Sequence, residues 1–164
     1  MLNLKRTFIW LAVVFSLGSY GEDRCVKLEN LNYEIDVLEK TCLTKPIQLN
    51  QSFTLIEFFT TTCSTCKKNL PHLNRLHEKW QDKLSIKLVS LNPKKEMIEE
   101  FIEGYREFIN YPVYFDELRK AKRQFKIRLV PTLLLFKDGH GLIFRHKGEM
   151  NEDVLKELES LLKE

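Results

Sequence analysis

An apolar segment that runs directly into a pair of cysteines is the feature that most constrains how this chain can fold. Residues 54–59 read Thr-Leu-Ile-Glu-Phe-Phe, and such a run is typical of a central β-strand covered on both faces. Beyond Cys63 and Cys66, large apolar residues recur at helical spacing, at Leu70, Leu73, Leu76 and Trp80. Pro71 should bend this helix near its start. The cysteines therefore lie between a buried strand and a helix N-terminus.

Further strands are expected on both sides of this segment. Short apolar runs predict four of them after the cysteines, at residues 85–91, 113–115, 133–136 and 142–146. A turn at residues 137–141 should join the last two into a hairpin. Before the cysteines, alternating residues predict a short strand pair at 33–38 and 46–49.

Three more helices are predicted from capping residues and helical spacing. Their expected N-terminal residues are Asn92 with Pro93, Asp116, and Asn151. The apolar face of the first should continue to Ile109, and the second should bury Leu118, Ala121 and Phe125. The order strand, helix, strand, helix, strand, helix, hairpin, helix predicts an α/β fold whose mixed central sheet is flanked by helices on both faces.

The N-terminal residues have the pattern of a secretory signal. Lys5 and Arg6 precede the apolar run 8–17, which is too short to be a comfortable membrane span. Cleavage after Gly18 or Gly21 would satisfy the preference for small residues, and an uncleaved N-terminal anchor is the alternative. Export would place the four cysteines of the chain in an oxidising compartment, where disulfides persist.

Length and charge limit the remaining possibilities. A chain of 164 residues has room for one core, so we expect residues 1–21 to be the signal or anchor and residues 22–164 to form one domain. Without Lys5 and Arg6, the 26 basic residues fall to 24 against 23 acidic ones. This balance gives no electrostatic reason to expect nucleic acid or an anionic membrane as a partner. The sequence also offers no clear dimer surface, and we expect a monomer.

The two cysteines have the spacing and the setting that thiol–disulfide exchange requires. At a helix N-terminus, unpaired backbone N–H groups and the helix dipole stabilise a thiolate, and such cysteines have pKa values of about 3.5 to 7.5 instead of about 8.5. Cys63 should therefore be the attacking nucleophile. Cys66, one turn inside the helix, should resolve the mixed disulfide.

Half of a zinc site and an inert disulfide are the other interpretations of this pair. A zinc site needs further ligands, and neither Cys25 with Cys42 nor His72 with His77 forms a convincing second half. We therefore expect no metal, and thiol–disulfide exchange requires no bound cofactor.

Three motifs resemble the thioredoxin superfamily. They are residues 58–68 around the cysteines, Pro71 in the following helix, and Val130-Pro131-Thr132 before the strand at 133–136. The extra strand–helix segment before Pro131 and the ending Lys-Asp-Gly…Lys-Gly…Leu are most similar to the TlpA/ResA branch of extracytoplasmic thioredoxin-like proteins. The resemblance covers essentially the whole chain after residue 21. It implies a thioredoxin-like fold and a protein-disulfide oxidoreductase.

The resemblance also implies how a substrate is held. Pro131 would have a cis peptide bond, and its loop would lie beside the cysteines. The Val130 backbone could then pair with a substrate peptide as a short added strand. Ser64 and Thr65, between the cysteines, would contact the same substrate. A trans Pro131 that only begins a strand is the alternative.

Glu57 matches the buried acid of thioredoxins, where Asp is usual. Burial in an apolar strand should raise its pKa, so it could accept and return the proton of Cys66 during exchange. The alternative is a carboxylate that reaches water at the end of the sheet.

Partners and location follow from the resemblance as well. It implies a periplasmic protein, or one anchored to the membrane and facing the outside, that acts on cysteine-containing exported proteins such as apocytochrome c. A membrane electron-transfer protein would reduce its cysteine pair again after each turnover.

The motif around the cysteines departs from the family pattern in two places. Thr62 replaces the Trp common before the first cysteine, and Ser64-Thr65 lacks the frequent Pro. The direction of electron flow stays open, with a reductase favoured over an oxidase.

Cys25 and Cys42 form a second cysteine pair. A bond between them would close a loop of about 15 residues, for which chain entropy predicts roughly 3 kcal/mol of stabilisation. A structural disulfide is the favoured interpretation, and a relay of electrons to Cys63 and Cys66 is the alternative.

Two other functions compete with exchange. A copper chaperone on the same fold would hold Cu(I) with two thiolates and a distant histidine, for which His140 and His146 are the candidates. A redox-silent module would use the Pro131 loop only to hold peptides.

Overall fold

The computed structural model describes residues 52–164, together with the backbone of residues 26–27, 29–30 and 40–41. The strands are β1 (Val26–Lys27), β2 (Glu29–Asn30), β3 (Lys40–Thr41), β4 (Phe53–Phe59), β5 (Leu84–Ser90), β6 (Val113–Phe115), β7 (Thr132–Lys137) and β8 (Gly141–Lys147). The helices are α1 (Ser64–Trp80), α2 (Glu96–Gly104), α3 (Lys120–Gln124) and α4 (Glu152–Leu161). Both predicted N-terminal strands, 33–38 and 46–49, lie outside the described residues.

A mixed sheet forms the centre of the described part of the chain. Its strand order is β2-β6-β5-β4-β7-β8. The three adjacent strands β6, β5 and β4 run parallel, while β7, β8 and β2 pair antiparallel with their neighbours. This arrangement confirms the predicted mixed α/β sheet, and the predicted bounds of the strands from β4 onward agree to within one residue.

Strand β4 lies in the middle of the sheet and is buried along its whole length. Its side chains alternate between the two faces, where two separate cores form. The larger core holds Phe53, Leu55 and Phe59 with residues of α1, α2 and α4. The smaller core holds Ile56 and Phe58 with Ala121 of α3. Helices therefore cover both faces, as the apolar run predicted.

Helix α1 buries one face against the larger core. Its buried apolar residues are Cys66, Leu70, Leu73 and Leu76, which recur at the spacing of one helical face. Pro71 lies inside the helix, which nevertheless continues to Trp80. The helix therefore holds its first turn, with both cysteines, against a well-packed support.

The predicted start of α2 was wrong. The helix begins at Glu96 and ends at Gly104, so Asn92 does not cap it and the apolar residues as far as Ile109 do not extend it. The Asn92 side chain is buried and bonds instead to the loop before the cysteines, where its Oδ1 accepts from the Thr61 backbone N–H at 2.9 Å. Its Nδ2 donates to the Thr61 hydroxyl at 2.8 Å. The Asn92 side chain therefore bonds to a distant loop and does not cap the helix.

The prediction for the helix after Asp116 was partly wrong. Helix α3 begins four residues later, at Lys120, and Leu118 is 63% exposed instead of buried. Asp116 still stabilises the start of this helix, because its carboxylate accepts from the backbone N–H groups of Ala121 at 3.1 Å and Lys122 at 2.8 Å.

Asn151 caps α4 as predicted, with its Oδ1 accepting from Val154 N–H at 3.0 Å. None of the described helices is long and apolar enough to cross a membrane.

Candidate active site

The two central cysteines lie at the N-terminus of α1 and form a disulfide, with their Cα atoms 5.3 Å apart. Cys63 is the N-cap residue of the helix, and its Sγ accepts a hydrogen bond from the Cys66 backbone N–H at 3.1 Å. Cys66 is 1% exposed, whereas Cys63 is partly exposed. Only the first sulfur is therefore within easy reach of another protein, and it sits where backbone N–H groups stabilise negative charge.

Hydrogen bonds fix the loop that presents Cys63. The Cys63 backbone N–H donates to the Thr60 carbonyl at 3.1 Å, and Asn92 holds Thr61 through the two bonds described above. Ser90 supports Asn92 in turn, since its hydroxyl donates to Asn92 Oδ1 at 2.9 Å. The loop from β4 into α1 is thus tied to the end of β5. Sequence reasoning missed this role of Asn92, whose position before Pro93 favours a helix cap.

The Val130–Pro131 peptide bond is cis, as the resemblance implies. The loop is held from both sides, because the Thr132 hydroxyl donates to the Leu129 carbonyl at 2.7 Å and Gly148 N–H donates to the Pro131 carbonyl at 2.9 Å. Val130 and Cys63 pack against the same buried core. Among the described residues, nothing forms a hydrogen bond with the Val130 backbone, which leaves its N–H and carbonyl available to an extended peptide.

Glu57 is fully buried on β4. Its Oε2 accepts a hydrogen bond from Asn69 Nδ2 at 3.0 Å, and Oε1 has no hydrogen-bond partner within the described part of the chain. Burial raises the pKa of Glu57 to about 8, against a smaller lowering effect of the Asn69 bond. The alternative of a carboxylate that reaches water at the sheet end was wrong, because no part of this side chain is exposed.

Asn69 connects Glu57 to a distant part of the chain. It is fully buried, and its Oδ1 accepts from the Met150 backbone N–H at 2.9 Å. Since that bond fixes the amide orientation, the Nδ2 group must point at Glu57. Asn69 follows Cys66 by three residues on α1, and side chains at this spacing share a helix face. The carboxyl group therefore lies under the first turns of the helix that carries the cysteines.

A cavity of about 320 Å³ adjoins the loop that leads into Cys63. Thr62, the residue before Cys63, and Val130, the residue before the cis proline, both line it. The remaining lining residues are Thr60, Leu91, Asn92, Pro93, Met97, Arg119, Lys122, Ile127, Arg128 and Leu129. No motif in the sequence signals this cavity, because its walls come from four separate segments of the chain, two of which reach into helices α2 and α3.

The other predicted site residues are distributed as follows. Ser64 is exposed and Thr65 half-buried in the first turn of α1, next to both cysteines. His140 and His146 lie in the β7–β8 hairpin and contact the backbone carbonyls of Asp138 and Glu149. Within residues 52–164, no group of three His, Cys, Asp or Glu side chains is arranged to hold a metal ion. Cys25 and Cys42 lie outside the described residues.

Comparison with known proteins agrees with this geometry. Residues 51–142 match the model of a family described as thioredoxin-like. The chain belongs to the thioredoxin-like family. The match includes the cysteine pair, the cis-proline loop and the buried Glu57.

Two curated proteins are similar to this chain in sequence. Sporulation thiol-disulfide oxidoreductase A of Bacillus subtilis is 26% identical over 109 residues, which are 63% of this chain and 64% of that protein. Thiol-disulfide oxidoreductase ResA of Bacillus thuringiensis is 27% identical over 104 residues, 62% of this chain and 58% of that protein. The chain thus spans about three fifths of the length of these relatives.

A solved structure supports the fold. The crystal structure of a thiol-disulfide isomerase from Corynebacterium glutamicum superposes with a TM-score of 0.66 at 18% identity, and the alignment covers 85% of this chain and 94% of that one. At this identity the likeness establishes a thioredoxin-like fold, as the sequence predicted.

Proposed function

We propose that this thioredoxin-like protein is a thiol–disulfide oxidoreductase that exchanges disulfides with cysteines of other proteins. The observation that carries the proposal is the unequal exposure of the two sulfurs at the start of α1. Cys63 is partly exposed and sits at the helix N-terminus, while Cys66 is 1% exposed behind it. Such a pair separates the attacking sulfur from the resolving one. The names of the curated relatives support the same chemistry.

In the reducing direction, the Cys63 thiolate attacks one sulfur of a client disulfide. A mixed disulfide forms, and the other client sulfur leaves as a thiolate. The Cys66 thiolate then attacks the Cys63 sulfur, which re-forms the internal disulfide and releases the second client thiolate. Two electrons pass to the client, and its two thiolates take up protons. In the oxidising direction, the same steps run backwards.

Glu57 is the proposed proton acceptor for Cys66. A buried thiol must lose its proton before it can attack. With a pKa of about 8, Glu57 is ionised in a minority of molecules near neutral pH and in most of them above pH 8, and this ionised form can accept the proton and later return it. Its tie to Asn69, three residues beyond Cys66 on α1, supports this role. The Val130–Pro131 loop is the proposed docking strand for the client, with Ser64 and Thr65 beside it.

The proposal extends to location and partners. The signal-like residues 1–21 support export to the periplasm, or attachment to the membrane facing outward. The resemblance to the TlpA/ResA branch supports a reductase that acts on exported cysteine-containing proteins, apocytochrome c among them. A membrane electron-transfer protein would supply the electrons to reduce the Cys63–Cys66 disulfide after each turnover.

The reduction potential of the pair is the decisive measurement. Purified protein is equilibrated in thiol–disulfide buffers, alkylated, and weighed by mass spectrometry to count free thiols. A potential near about −270 mV or lower supports a reductase, and one near about −120 mV supports an oxidase. A Cys66→Ser variant should trap the mixed disulfide with a client, whereas Cys63→Ser should not. A pair that never cycles would overturn the proposal.

A further inference from the structure

The charge of the cavity beside Cys63 indicates which clients the protein prefers. Among the described residues, three cationic side chains line it, those of Arg119, Lys122 and Arg128, and no acidic side chain does. The whole chain is close to neutral, with 26 basic and 23 acidic residues among 164. The excess of positive charge around the cavity is therefore a local feature, which the overall composition of the chain does not explain.

These three charges are not neutralised by neighbouring side chains. Within the described part of the chain, none of them takes part in an ion pair. Two acidic residues lie close to Arg119 in the sequence. Glu117 is exposed and forms no ion pair with any described residue, and Asp116 is 2% exposed. Its two oxygens are bonded to backbone N–H groups at the start of α3. Arg119 and Arg128 are exposed and Lys122 is half-buried, so all three can meet an incoming charge.

The cavity also has an apolar contact surface. Leu129, immediately before the proposed docking residue Val130, is 62% exposed and lines the cavity. Leu91, Met97 and Ile127 form the apolar part of the wall. A peptide lying along Val130 would therefore place one side chain on apolar surface and its neighbours among cations.

We propose that the cavity selects client polypeptides carrying acidic residues next to the reacting cysteine. The inference rests on the proposed exchange activity and adds the substrate class to it. Charge at the rim of an interface mainly raises the rate of association and falls with salt. Three exposed pairs of ordinary strength would together favour an acidic client about tenfold over a neutral one.

The test uses three synthetic peptides that differ only in the two residues on each side of one cysteine. These residues are Asp and Glu, Ser and Gln, or Lys and Arg, and the cysteine is capped with 2-mercaptoethanol as a mixed disulfide. The reduced protein is mixed with each peptide, quenched in acid and followed by mass. Each rate is divided by the rate of the same peptide with dithiothreitol, because flanking charge alters the reactivity of the disulfide itself.

The expected result is a normalised rate about tenfold higher for the acidic peptide than for the neutral one, with the basic peptide slower still. The preference should be strong at about 0.01 M ionic strength, where charges act over roughly 30 Å, and lost at about 1 M, where they act over roughly 3 Å. An R119Q/K122Q/R128Q variant should bring the ratio of acidic to neutral rates close to one.

A matched variant controls for net charge. Arg75, Arg106 and Lys156 are exposed and do not line the cavity, so R75Q/R106Q/K156Q removes the same charge elsewhere and should keep the preference. Equal normalised rates for the three peptides, or a preference that survives R119Q/K122Q/R128Q, would overturn the inference. Absence of exchange even with 2-hydroxyethyl disulfide would instead overturn the proposed function.

Discussion

Replacing Glu57 with glutamine should change how the stability of the protein depends on pH. Burial holds the pKa of this carboxyl near 8 in the folded protein, against an ordinary value of 4.5. Between these two values the unfolded chain has released the proton while the folded chain still binds it. Since the unfolded state then binds fewer protons, the free energy of unfolding falls as pH rises through this window.

The size of the effect follows from the width of the window. Each pH unit within it lowers the free energy of unfolding by about 1.4 kcal/mol. Between pH 4.5 and pH 8, ionisation of Glu57 in the unfolded chain should therefore lower the free energy of unfolding by roughly 5 kcal/mol. Glutamine cannot ionise, and its amide oxygen can still accept from Asn69. The E57Q variant should match the parent protein near pH 5 and exceed it in stability by several kcal/mol near pH 9.

Urea denaturation at a series of pH values measures this difference. Both proteins are kept oxidised so that the cysteines do not titrate, and subtracting one curve from the other cancels the other ionisable groups. Glu157 is exposed on α4, and E157Q serves as the matched control, with a difference that stays nearly flat. A difference between E57Q and the parent that is also flat from pH 5 to 9 would refute the raised pKa.

Two further predictions concern Asn69 and the N-terminal cysteines. An N69L variant removes the bond that lowers the pKa of Glu57 and leaves the Met150 N–H without its partner. It should lose roughly 1–3 kcal/mol of stability and shift the pH window upward, and denaturation curves with an unshifted window would contradict this. A bond between Cys25 and Cys42 would close a loop of about 15 residues and contribute roughly 3 kcal/mol of stability. We expect them to form a disulfide, which peptide mapping without reduction would detect, whereas two free thiols would contradict it.

Local patterns were sufficient to predict most of the fold. The continuous apolar run of β4 predicted a central strand, because a strand buried on both faces has no position for a polar side chain to reach water. Asn151 was predicted as a cap from its place before an amphipathic stripe, and it caps α4. The spacing of Cys63 and Cys66 put both sulfurs in the first turn of α1. Each of these features depends on residues close together in the sequence.

Predictions failed where a side chain bonds to a distant segment. Asn92 has the sequence setting of a helix cap, but it bonds to Thr61, which lies 31 residues earlier. Leu118 fits the apolar spacing of a helix that in fact begins only at Lys120. The helix cap lost at Asn92 is worth only about 1 kcal/mol, so the buried bonds to Thr61 override it. Leu118 stays exposed because it precedes the helix whose apolar face would have buried it.

The sequence by itself determined the chemistry, since two cysteines at this spacing after a buried strand can meet in one helical turn. The tertiary structure decided what surrounds that chemistry. It brought Asn69 to Glu57 and Met150, and it placed Arg119, Lys122 and Arg128 around the cavity beside Cys63. These residues lie on separate segments of the chain, which come together when the helices and loops pack against the sheet. Contacts between residues far apart in the chain leave no periodic signal in the sequence.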